Sequence, residues 1–178
     1  RQMCIRDSFN GEPVVVDLST STGGYIVTAA AGTTMVGVLN GVTFTDATTL
    51  KPTFSNFYPA ATTPANSEDI TAFVNDDPFQ EYIIASDATL GGTLALRKSK
   101  IGLTYATTAA AGSTTTGKSS IQLGISTAAT TAKQLRVVRV AEDPENEDQT
   151  AANCSLVVKV NLHQYLSLIH ISEPTRLA

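Results

Sequence analysis

Gly112-Ser-Thr-Thr-Thr-Gly117-Lys118-Ser119 has the spacing G-x-x-x-x-G-K-[ST] of a phosphate-binding loop. Such a loop points backbone N–H groups at phosphate oxygens, and it needs a buried apolar strand before it and a helix after it. Here Thr107–Ala111 precedes it, while Ser120–Ser126 follows with strand alternation and an internal glycine. Tyr82–Asp87 and Val137–Asp143 imitate the accompanying strand that ends in Asp, but without an α/β context around them. The segment therefore reads as a surface loop. Glu142-Asp-Pro-Glu-Asn-Glu-Asp148 gathers five carboxylates in seven residues, a supply of oxygen ligands that suits calcium. It lacks the D-x-[DN]-x-[DN]-G order of an EF-hand, and a solvated acidic connection is the simpler reading. Asp76-Asp77 before Pro78 reads as an Asx-type turn.

His163 is placed by strand alternation on a polar face with Lys159 and Asn161, where surface hydrogen bonding or a subunit contact is the ordinary role. Cys154 reads as a small semi-buried residue at a strand start. Asn153-Cys-Ser155 is formally a glycosylation acceptor, which matters only in a secretory host. Arg97-Lys98-Ser-Lys100 is the single basic cluster, a solvated turn that could meet an acidic neighbour in an assembly. None of these groups acquires the partners that catalysis requires. No catalytic, cofactor-binding or metal-ligating residue is assigned, no cofactor is expected, and the chain is not expected to be an enzyme.

The elements that would position these residues are strands. Leu156, Val158, Val160 and Leu162 alternate with polar neighbours, as do Ile121, Leu123 and Ile125, and Val42 and Phe44 alternate with Thr43 and Thr45. Period two over such short runs marks half-buried strands, and Thr suits their solvated face. Strands are expected near 13–18, 24–30, 34–39, 42–46, 70–74, 79–86, 93–97, 101–106, 120–126, 134–141 and 155–163. Asn40-Gly41 is expected to turn a hairpin, because a type I′ turn needs positive φ at both central residues. Gly23-Gly24 and Gly91-Gly92 punctuate other runs. Pro52, Pro59 and Pro64 mark an irregular connection from about Lys51 to Glu68, and Pro78 opens the strand that follows. Thr107–Ser120 is low in complexity and reads as a mobile hairpin loop. YIVTAAAGTT at Tyr25 has a faint echo in YATTAAAGSTTT at Tyr105. The expected fold is all-β, a compact β-sandwich or barrel-like domain of roughly ten short strands.

The 178 residues are 42% apolar and 16% charged, with a net charge of −4. Thr and Ala make up about a quarter of them. No apolar run reaches the ~18 to 20 residues of a membrane-spanning helix. The acidic balance argues against a general nucleic-acid binder, which needs clustered Lys and Arg. Neither a membrane nor a nucleic acid is expected as a partner.

The two ends stand apart from this pattern. RQMCIRDS (residues 1–8) and LSLIHISEPTR (Leu166–Arg176) resemble in-frame translations of the transposon adapters used in short-read DNA library preparation. Leu177 and Ala178 follow the second of these. The resemblance implies that 1–8 and 166–178 are adapter sequence and that 9–165 is a single β-rich domain. Setting the ends aside leaves one Cys, one His and a net charge of −5. One thiol cannot close an internal disulfide, and one Cys with one His cannot build a structural zinc site.

GVLNGVTFTDATTLKPTFSNFYPA (Gly37–Ala60), AFVNDDPFQEYIIASDATL (Ala72–Leu90), GSTTTGKS, LRVVRVAEDPENE (Leu135–Glu147) and VVKVNLHQY (Val157–Tyr165) follow one another through the chain. Together they resemble structural proteins of tailed bacteriophages from environmental samples. The resemblance implies a small β-rich virion component that decorates or stabilises the capsid. Its expected partners are further copies of itself and the major capsid protein. A tail or fibre component, or a cell-surface adhesin module, is the alternative. Low charge, abundant Thr and few reactive groups suit either role, and pairing exposed strand edges in an oligomer would remove an aggregation hazard.

Overall fold

The computed structural model describes residues 8–19, 24–58, 62, 64–66, 70–127, 132–146 and 150–166. Most of both adapter-like ends, with Cys4 and His170, and also Gly23, Pro59, Glu68, Glu147 and Asp148 lie outside the described residues.

The described chain is all-β, built on two antiparallel sheets. In the first, β1 (Pro13–Val16), β2 (Ile26–Thr28), β3 (Gly37–Thr45), β4 (Pro52–Ser55) and β5 (Thr71–Asn75) are arranged around β3. One edge of β3 pairs with β1 and then β4, and the other pairs with β5. The second sheet has the order β6 (Glu81–Ala85), β9 (Ser155–Val160), β8 (Leu135–Val140), β7 (Thr104–Tyr105). Neither sheet closes, so the barrel alternative is not what forms. One short helix, α1 (Leu94–Lys98), lies between β6 and β7.

Alternation places the core as expected. Leu156, Val158 and Val160 of β9 join Leu135 and Val137 of β8, with Tyr105, Leu123 and Met35, in one buried cluster. Val15 and Val38 of the first sheet pack against the same cluster, which ties the two sheets together. Val14, Val16, Leu39, Val42 and Phe44 build a second cluster with Tyr58 and Ile70.

Asn40-Gly41 makes no hairpin. Neither residue has positive φ, and both lie inside β3. Leu39 faces Val74 and Gly41 faces Phe73, which leaves Asn40 as an extra, bulged residue. A bulge resets the two-residue phase of a strand. It lets Leu39, Val42 and Phe44 enter one apolar cluster although their spacing is 3 and then 2. The hairpin turn comes five residues later. The Asp46 carboxylate accepts from the N–H groups of Thr48 and Thr49, Asp46 N–H donates to Lys51 O, and Leu50 takes φ 52°. These bonds stabilise the carboxylate form and hold its pKa below 3.8. The connection expected to be irregular from Lys51 thus begins with β4.

Four other expectations change. The strand expected at 93–97 is instead helix α1, Leu94–Lys98: Thr93 Oγ1 accepts from Leu96 N–H as an N-cap, and Leu-Ala-Leu-Arg-Lys are good helix formers. The alternation of Leu94 and Leu96 is too short to distinguish the two periods. Residues 120–126 form isolated bridges from Leu123 to Ser86 and Thr107 and then a 3-10 turn at Ile125–Thr127, not a strand. The strand expected at 101–106 shrinks to Thr104–Tyr105, and that at 155–163 stops at Val160.

Candidate functional site

The Gly-Lys-Ser loop is built into the wall of the protein. Gly112 lies under the ring of Phe9, where a Cβ would come within 2.2 Å of the ring. Phe9 in turn stacks on Phe57 at 5.9 Å. Gly117 takes φ +68° beside Asn56 and Phe57. Its N–H donates to Ser113 O, Ser113 N–H to Lys118 O, and Ser119 N–H to Asn10 O. Thr116 and Lys118 direct their N–H groups at the hydroxyls of Ser113 and Thr116. The amides of Ser113, Thr116, Gly117, Lys118 and Ser119 are therefore engaged within the fold, and no α-helix follows them. Thr107–Ser120, read from composition as a mobile hairpin loop on the surface, is anchored at both ends: Thr108 N–H donates to Gln122 O, and Asn10 pairs with Lys118.

Lys118 does line a cleft of about 470 Å³, together with Asn10, Ser119, Ile83, Ile84 and Leu135. Such a volume falls in the range of small-molecule sites. Its polar groups are few and no acid–base pair stands among them.

A second groove, of about 460 Å³, brings together two stretches far apart in sequence. Arg97 and Lys98 of α1 line it with Glu142 and Asp143 of the acidic run. Asn146, inside that run, was not singled out by its type. It is buried and staples the loop to β9: its Nδ2 donates to Ala141 O at 2.8 Å and Ser155 O at 3.0 Å, and its Oδ1 accepts from Ser155 N–H at 2.8 Å. Among the described residues no three His, Cys, Asp or Glu side chains are close enough to hold a metal ion.

His163 is a buried residue, only 6% exposed, and not a surface group. Its Nδ1 accepts from Tyr165 N–H, and its Nε2 meets Asp76 O at 3.2 Å. An imidazole that accepts at Nδ1 carries its proton at Nε2 and donates there. The ring thus fastens the end of the second sheet to the turn after β5. Asp77 accepts from Phe79 N–H in the expected Asx turn. Cys154 is buried at the start of β9.

What the surface does carry is exposed apolar side chains. Phe54 on β4 and Phe73 on β5 lie 6.1 Å apart, 63% and 46% exposed, and Phe54 covers Gly41 of the intervening strand. Phe79 and Ile83, before and within β6, are 75% and 71% exposed. No family model, curated protein or solved structure matches this chain.

Proposed function

We propose that this chain is a non-enzymatic structural component of a tailed-phage virion that decorates or stabilises the capsid as an oligomer. The observation that carries the reading is the exposed aromatic pair Phe54 and Phe73, with ring centroids 6.1 Å apart. Contiguous apolar area on a soluble protein marks a surface that another macromolecule covers. The phage-like segments supply the context, and the Phe54–Phe73 pair lies within two of them. The partners are the major capsid protein and further copies of the chain, and the location is the virion.

Long-read sequencing across the coding region identifies the neighbouring capsid gene, and capsids assembled from its product are then sedimented with the full 178-residue chain. The chain is expected to pellet with the capsids. Phe54→Ser with Phe73→Ser should weaken this at least about tenfold, as expected for aromatic anchors of an interface, whereas Lys118→Ala leaves it unchanged. Neighbouring tail genes, or a chain that stays in the supernatant, would overturn the capsid reading in favour of a tail, fibre or adhesin role.

A further inference from the structure

Helix α1 buries none of its residues. A helix of five residues has little stability of its own and is normally held by packing of an apolar face. Leu94 and Leu96 on it are nevertheless 58% and 53% exposed, and Ile101 just beyond is 41% exposed. The groove at its foot is lined by charges of both signs, Arg97, Lys98 and Arg139 together with Glu142 and Asp143. Ion pairs among the described residues join Glu81 to Arg139 and Lys159. Arg97, Lys98 and Glu142 enter none of these, and Arg97 Nε is buried without a hydrogen-bond partner among the described residues.

A partner of one sign fits only half of this groove. An acidic peptide would meet Glu142 and Asp143, and a basic one would meet Arg97 and Lys98. A surface that carries both signs side by side, with an apolar ridge beside them, is complementary to its own copy after a two-fold rotation. That is the requirement for an isologous interface. We propose that α1 and the Arg97–Lys98/Glu142 groove form the contact between two copies of this chain. Lys98 of each copy faces Glu142 of the other, and the exposed leucines of the two helices close over one another. The proposal rests on the self-association in that reading and names its contact; because self-association is measured without any capsid, its failure is distinguishable from a failure of capsid binding.

The test is sedimentation velocity of the full chain and of two charge-reversed variants, Lys98→Glu and Glu142→Lys, alone and mixed. The unaltered chain is expected to be dimeric. Each variant alone places like charges opposite one another twice and should dissociate at least about tenfold more readily. In the mixed dimer, one contact sets the introduced carboxylate of the first variant against the introduced ammonium of the second. The other contact keeps the original Lys98–Glu142 pair. The mixture should therefore recover the dimer. Recovery also guards against a folding defect, because a misfolded chain would not regain the contact. A monomeric unaltered chain, an oligomer indifferent to both reversals, or a mixture that stays dissociated would each overturn the proposal.

Discussion

Tyr105 is completely buried, and its hydroxyl has no hydrogen-bond partner among the described residues. Burying a polar group without a partner costs the desolvation of that group. Tyr105→Phe is therefore expected to raise stability by about 1 kcal/mol in urea unfolding at neutral pH. A loss instead would show that the hydroxyl is hydrogen-bonded in the folded protein. Burial also raises the Tyr105 pKa above 10.0, as it does for Tyr58 and Tyr82. The unfolded chain then ionises first. The stability these phenols contribute is complete below about pH 10 and is lost as the pH rises through their folded-state values. The alkaline loss should be shallower in Tyr105→Phe, which has one phenol fewer. From the sequence, Tyr105 is placed only within the strand expected at 101–106. Whether a buried hydroxyl finds a partner depends on residues remote in sequence, so its satisfaction was not legible.

Two glycines of β3 distinguish backbone crowding from side-chain crowding. A Cβ on Gly37 would lie 2.1 Å from the backbone oxygen of Asn75, at the end of β5. On Gly41 the nearest atoms belong to the tip of Phe54, at 2.7 Å, with Ser55 O at 3.0 Å. Backbone cannot move aside without breaking the β3–β5 ladder, whereas a largely exposed ring can swing away. Gly37→Ala should cost about 3 kcal/mol and Gly41→Ala about 1 kcal/mol, each read from the urea midpoint. Equal costs would mean that Phe54 is locked in place. The Asn-Gly pair shows why a turn signal can mislead. Its residues tolerate positive φ but do not enforce it, and here the pairing of β3 on both edges, together with the burial of Leu39, Val42 and Phe44, favours continuous strand. The same limit applies at α1, where two leucines carry too little periodicity to separate a strand from a helical turn.

At the scale of the molecule, the sheets are joined by more than apolar contact. Met35 N–H donates to Leu162 O, and Gln164 N–H donates to Met35 O. The Gln164 side chain accepts from Val16 N–H and donates to Val16 O, both at 2.9 Å, and so completes the pairing of β1 as a strand would. Gln134 reaches across as well, with its Oε1 accepting from Thr107 Oγ1 at 2.8 Å and Gly32 N–H at 3.3 Å. Unfolding is therefore expected to be a single transition, with far-ultraviolet circular dichroism and tyrosine fluorescence coinciding. Gln164→Ala should lower stability by about 2 kcal/mol without splitting that transition. Two separated transitions would mean that the sheets fold independently.

Legible in the residues alone were the all-β class, the inward face of β9 at Leu156, Val158 and Val160, the Asx turn at Asp77 and the poor surroundings of the Gly-Lys-Ser loop. Each of these rests on alternation or on a side chain acting within a few residues of itself, which is the range over which a sequence can be read. Only the tertiary structure decided that Asn40 is a bulge, that His163 is buried against Asp76, and that Gly112 is a seat for Phe9. It also decided that the basic cluster at Arg97 shares a groove with the acidic run at Glu142. These depend on contacts between segments tens of residues apart, and packing decides such contacts where local preference leaves several conformations close in energy.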